Sequence, residues 1–186
     1  MSETIPLSRA PKKLAPMSIE IKLVDRYDDE VFKDLVAKHL ESDRVFIPAW
    51  DISRNGDETF QSSGKTIRVG AFDKETLIGL SWGKAESKSR FITHMSLVIP
   101  EYRKKGIYSD MLDLLLTQTK EFDEVDSYHH IFNNDIISLK LRKGFYIVGT
   151  DHCVPVGPRI RLRYFNNQKM FEFMKFRMGL IDQPSF

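Results

Sequence analysis

The sequence predicts a mixed α/β (α+β) domain built on one sheet. Three observations lead there. Short segments with apolar residues at every second position recur along the chain, the strand period. Segments with apolar residues three and four apart follow several of them, the helix period. Apolar residues make up 41% of 186 residues, enough for one sizeable core. Strands and helices alternate after an early hairpin, which places the chain in the mixed class.

The elements follow in order. Residues 1–17 are rich in Pro, Ser and Lys and are expected to form a flexible arm before a single domain over 18–186. Ile19, Ile21 and Leu23 alternate with polar neighbours and predict a strand within 18–27. The acidic start at Asp28 to Glu30, then Val31, Phe32, Leu35, Val36 and Leu40, predicts a helix. Residues 51–66 are polar and rich in Gly, Ser and Asn, a loop suited to lining a site. A hairpin follows, with its turn at residues 73–76, and then a strand ended by Pro100. The next helix runs from Gly106 to about Phe122, with Ile107, Met111, Leu114, Leu115 and Phe122 as its inner stripe. Residues 125–132 predict a strand and 134–144 a short helix closed by Gly144. Two more strands and an apolar-rich helix over 168–180 complete the chain.

The bulk numbers exclude some partners. Lys and Arg total 28 against 26 Asp and Glu, a net charge of +2, so no global field points to nucleic acid or membrane. The single cysteine, Cys153, excludes an internal disulfide framework and fits a reducing compartment. No long apolar run marks a secretion signal or a membrane span, so the cytoplasm is the expected location.

One stretch is electrostatically odd. Pro100-Glu-Tyr-Arg-Lys-Lys-Gly-Ile-Tyr-Ser puts Arg103, Lys104 and Lys105 ahead of a helix start that already carries about half a positive charge. A strand, a basic glycine-containing turn and a helix in sequence make the geometry in which backbone N–H groups cradle phosphate. A diphosphate would convert the repulsion into attraction. The alternative reading needs no ligand, since lysines and arginines also keep an exposed turn solvated.

With Val98 and Pro100 before it, this stretch resembles the coenzyme A motif of the GNAT N-acetyltransferase superfamily, Arg/Gln-x-x-Gly-x-Gly/Ala. Arg103 and Gly106 match. Tyr108 stands where the family has Gly or Ala, so its side chain must point away from the pyrophosphate or line the pocket. Downstream, Asn133 precedes Gly144-Phe145 with a helix between them, a second pattern of that family. The resemblance covers residues 66–150 closely. It implies a central mixed, mostly antiparallel sheet flanked by helices, with acyl-CoA in a splay between the strands ending near Val98 and Ile131. It implies acetyl-CoA as donor and an amine as acceptor, with no metal. Leu97 and Val98 would pair with the pantetheine amide. Arg103 and backbone N–H groups of Lys104, Lys105, Gly106, Ile107, Tyr108 and Ser109 would hold the diphosphate, and Asn133 would meet the cofactor arm.

Acyl transfer to an amine needs that amine neutral, which for a lysine-like group is about one molecule in a thousand or fewer at pH 7. A base helps, and the candidate is His94, four residues before Val98, where the family often places Glu. Period-two alternation puts Ile92, His94, Ser96 and Val98 on one face. The competing reading of His94 is a hydrogen-bonded histidine on a buried strand. The family's acid is a Tyr four residues before the Gly of Gly-Phe. Here that residue is Lys140. At about 100° per residue Lys140 falls between Ile136 and Ile137 on the wheel, inside the apolar arc. It either snorkels out, the favoured reading, or faces a polar pocket. Tyr108 and Ser109 are the substitute candidates for the acid. Without any of them, the protein would bind acyl-CoA as a sensor and not turn it over.

Other signals are set aside. Residues 62–66 end like a P-loop but lack its first glycine. His129 and His130 are adjacent on a strand and point to opposite faces, so they do not share a metal. Arg159, Arg161 and Arg163 alternate on a strand, which reads as a solvated edge before it reads as an RNA surface. The final helix is apolar enough to pack on its own domain, or else to form a homodimer.

Overall fold

The structure is a computed structural model that describes residues 18–41, 64–153 and 157–186. The N-terminal arm and nearly all of the 51–66 loop lie outside these residues. The elements are β1 (Ile19–Leu23), α1 (Asp29–Val36), β2 (Thr66–Asp73), β3 (Thr76–Ala85), β4 (Arg90–Val98), α2 (Ile107–Gln118), β5 (Glu124–His130), α3 (Asn134–Arg142), β6 (Tyr146–Cys153), β7 (Gly157–Phe165) and α4 (Gln168–Arg177). The strands form one seven-stranded sheet in the order β1-β2-β3-β4-β5-β7-β6. Every neighbouring pair is antiparallel except β4 and β5.

The helices are set by local chemistry. Asp28 caps α1 by accepting from the N–H groups of Glu30 and Val31, both at 3.0 Å. The helix ends at Val36, earlier than its apolar pattern suggested, and continues as a wider π-type turn over Ala37–Glu41. Leu35 is buried while Val31 lies 42% exposed, so α1 covers less of the sheet than the sequence implied. At α3 the chain closes in a Schellman arrangement. Gly144, at φ +90°, donates to Leu141 O and Phe145 donates to Lys140 O.

Two main cores flank the sheet. Under α1, Tyr27, Leu35, Leu77, Leu80 and Leu97 pack with Trp82 and Met95. Under α2, Val69, Ala71, Phe91, Val98, Met111, Leu115 and Val125 pack together. A smaller cluster of Leu112, Phe145 and Leu162 joins α2 and α3 to β7. Phe122 belongs to the second core although α2 stops at Gln118.

β7 lies inside the sheet, between β5 and β6, and not at an edge as expected from its arginines. Two of those arginines answer acids on the neighbouring strands. Arg159 pairs with Asp151 on β6, and Arg163 pairs with Asp126 and Glu124 on β5. Interior placement is tolerated because the charges are matched strand to strand. α4 packs its Phe171 against Tyr146 and Phe165, while Phe173, Phe176 and Met178 remain exposed. Among the described residues no helix is long and apolar enough to cross a membrane.

Candidate active site

β4 and β5 are paired over four positions, Arg90 to Thr93 against Glu124 to Ser127. Thr93 Oγ1 donates to Asp126 O at 3.2 Å at the end of this zone. Beyond it the strands part. The cause is visible in the register of β3 against β4. Trp82 opposes Met95 and Gly83 opposes Thr93, which leaves His94 as an extra residue. That bulge bends β4 away from β5.

The bulge also changes which residues share a face. His94 stacks on Trp82, ring centroids 4.8 Å apart, on the α1 side. Val98 belongs to the core under α2, and Ser96 meets Tyr108 of α2. The expected common face of Ile92, His94, Ser96 and Val98 is therefore split at His94. His94 is exposed and not a buried strand histidine. Its pKa is lowered, first by the loss of water against its neighbours and then by Lys84, so it is a neutral acceptor around neutral pH.

Backbone direction sorts the open edge. Ile99 N–H donates to Ile78 O at 3.0 Å on β3. Alternate residues of a strand face alternate sides, so Leu97 also turns its backbone to β3. Ser96 and Val98 turn theirs to the splay. Leu97 is thus not the residue whose backbone borders the opening. Arg103 Nε donates to Val98 O at 2.9 Å, tying the basic turn to the end of β4.

The turn itself is set by two residues in the left-handed region. Lys104 and Gly106, separated by one residue, both have positive φ, +60° and +84°, the left-handed backbone found in anion-binding nests. Gly106 is the N-cap of α2 and no side chain caps that end. The first-turn N–H groups, including those of Ile107, Tyr108 and Ser109, are left to face outward. Lys105 Nζ lies 4.9 Å from the Tyr102 ring centroid. Tyr108 is turned back from this cradle. It is half-buried against the α2 core and the smaller cluster beside it and hydrogen-bonds Ser96, whose Oγ lies 2.7 Å from Ser81 Oγ. Burial pushes its phenol pKa up, so it holds its proton. Asn133 stands exposed at the start of α3 and makes no side-chain cap there.

Lys140 does not snorkel. It is 1% exposed, the most inward residue of α3, while Leu141 points out at 41%. Its Nζ donates to Ser127 Oγ at 2.5 Å and lies 4.8 Å from the Phe145 ring centroid. The Schellman turn puts Phe145 there, taking the place of the usual hydrophobic contact across that motif. Burial lowers the Lys140 pKa to about 7. Ser127 Oγ lies 2.8 Å from His129 Nε2, and the His129 pKa falls to about 3, by burial first and then by the Lys140 charge. The sequence reading missed Ser127 and weighed His129 only as a metal ligand. Alternation from the core residue Val125 would have placed both on the α2–α3 face. The P-loop-like stretch has no such role: Lys65 Nζ pairs with Glu121 at 2.7 Å and Thr66 begins a strand.

A bulged strand parting from a parallel neighbour, with a glycine-started helix at the gap, is the GNAT N-acetyltransferase fold. Solved structures agree. The chain is similar to PaiA N-acetyltransferase from Thermoplasma acidophilum in complex with coenzyme A, at TM-score 0.62 and 22% identity, over 80% of this chain and 99% of that one. It is similar to Arabidopsis thaliana NAA60 in complex with a bisubstrate analogue, at TM-score 0.59 and 17% identity, over 80% and 98%. It is also similar to aminoglycoside 6'-acetyltransferase type Ii, at TM-score 0.59 and 18% identity, over 79% and 97%. No protein-family model matches the chain, and no curated protein matches it by sequence.

Proposed function

We propose that this protein is an N-acetyltransferase that moves an acetyl group from acetyl-CoA to an amine acceptor by direct attack. The observation that carries the reading is the pairing of the β4–β5 splay with the uncapped start of α2 behind Arg103, Lys104 and Lys105. The cradle from Lys104 to Ser109 would hold the diphosphate, and the open edge at Ser96 and Val98 would take the pantetheine amide. Asn133 would meet the cofactor arm. His94, neutral and exposed, would relieve the attacking amine of its proton. The acid's proton would originate at Lys140, or at Tyr108, which is protonated and nearer the cradle. The residues need no metal for this chemistry. A cytoplasmic location is part of the same proposal.

The test is calorimetry with coenzyme A on the wild type and on Arg103→Glu/Lys105→Glu, then an amine panel with detection of released thiol. Heat with the wild type and its loss in the double variant are expected. Absence of heat with the wild type would end the reading. A second reading, a non-catalytic acyl-CoA sensor, is favoured by one feature: the residue in the acid's place is buried beneath Ser127. Coenzyme A binding without thiol release on any amine would select it.

A further inference from the structure

Lys140 presents a contradiction for any direct role. At 1% exposure it cannot touch an atom that arrives from solvent. Yet a lysine buried without a carboxylate is costly to keep, and its Nζ is aimed at another polar side chain, Ser127, which is 2% exposed. Ser127 in turn contacts His129, which is half-buried and lies one strand repeat further along β5, past the last position paired with β4. The chain of contacts runs outward, from the interior toward the mouth of the splay.

We propose that Lys140, Ser127 and His129 form a proton relay that delivers the acid's proton to the departing thiolate, with His129 as the catalytic residue and Ser127 and Lys140 as positioning residues behind it. The inference rests on the acetyltransferase reading and names its acid. The donor directions fix the ring. A lysine ammonium has donors alone, so it donates to Ser127 Oγ. Ser127 then gives its one O–H to His129 Nε2, and the ring carries its proton on Nδ1. In the transfer, the Nδ1 proton goes to sulfur as the C–S bond breaks. Nε2 takes the Ser127 proton, and Ser127 Oγ takes one from Lys140. Lys140 ends neutral, Ser127 is unchanged and His129 has switched tautomer. A solvent proton at Nδ1, with the relay run backward, restores the start.

The surroundings suit this. His129 is hard to protonate twice, which favours a tautomer switch over an imidazolium, and Lys140 titrates near neutrality. Among the described residues, the elements packed against the cluster add Tyr108 of α2, Tyr164 of β7 and the exposed Lys143–Asp113 pair between α3 and α2. None is a buried carboxylate that would hold Lys140 charged.

The experiment has two arms. In ligand-free protein at pH 6, where Lys140 is charged, nitrogen NMR of His129 reads the tautomer. Proton on Nδ1 in the wild type, with a tautomer mixture in Ser127→Ala, is expected. Proton on Nε2 in the wild type overturns the relay. In the second arm, Ser127→Ala, His129→Gln and Lys140→Met each lower kcat by about 10²-fold with KM little changed. Ser127→Thr, which keeps the hydroxyl, recovers most of the rate. The fall in kcat above pH 7 disappears in Lys140→Met. Wild-type turnover with unchanged kcat in Ser127→Ala and His129→Gln overturns the relay and leaves the acetyltransferase reading standing. No wild-type turnover removes that reading and with it the relay's purpose, whatever the tautomer.

Discussion

Asp126 and Arg163 sit opposite each other in register on β5 and β7, joined by two parallel bonds, Nε to Oδ1 at 2.6 Å and Nη2 to Oδ2 at 2.8 Å. Asp126 is fully buried and Glu124, which Arg163 also reaches, is nearly so. Arg90 closes the group from β4, with Nε 2.5 Å from Glu124 Oε1. The network bridges the one parallel junction of the sheet. Arg163→Leu strips a partner from two buried carboxylates and should cost about 3–5 kcal/mol, read by urea denaturation. Adding Asp126→Val should recover part of that loss, and simple addition of the two single losses would show that the pair is uncoupled.

Gly106→Ala probes the cradle. The site offers room, since the nearest atom to a new Cβ is Asp110 Oδ2 at 4.0 Å, but φ is +84°. The cost is conformational, about 1–2 kcal/mol. Thermal melting should show that loss, and calorimetry should show weaker coenzyme A binding as the N–H groups turn away.

Lys140 makes stability depend on pH in an unusual direction. Its folded pKa of about 7 lies below the unfolded value, so the unfolded chain binds more protons between the two. The penalty of the buried charge is therefore complete below pH 7 and is relieved as pH rises toward the unfolded value near 10.4. Relative to Lys140→Met, the wild type should gain on the order of 1 kcal/mol per pH unit across that window. Parallel stability curves for the two proteins from pH 6 to 9 would contradict it.

As the proposed base, His94 should set the acid side of the rate profile. Its lowered pKa keeps it neutral below the usual histidine range, so kcat/KM should hold to below pH 6.5 before falling. His94→Gln should lose about 10²-fold at neutral pH and most of that acid limb. An unchanged limb would move the base elsewhere.

The apolar outer face of α4 carries the homodimer proposal. Phe173 and Phe176 are exposed there, ring centroids 6.5 Å apart. Sedimentation should find a dimer that Phe173→Ser/Phe176→Ser dissociates. A monomer in both proteins would remove the proposal.

Period and punctuation made most of the elements legible. Alternation at Ile19, Ile21 and Leu23 marked β1, and Gly106 and Gly144 marked a helix start and a helix stop. What escaped was anything set by register between distant strands. Nothing local to His94 announces that it is one residue too many opposite Trp82, yet that insertion decides its face. The arginines of β7 looked like an edge because their acids lie on β5 and β6. Lys140 broke the helical pattern in a way the wheel located but could not resolve. Its partner Ser127 is 13 residues away on another element.

The parting of β4 from β5 has a further result. It leaves Ser96 and Val98 in mid-sheet without partners on β5, the Val98 carbonyl being taken by Arg103 Nε, where natural folds seldom tolerate a raw border. A guest with an amide of its own can knit across the gap as a short extra strand. Such a guest should slow hydrogen exchange at Ser96 and Val98 and raise the melting temperature, so that occupancy and cohesion become the same measurement.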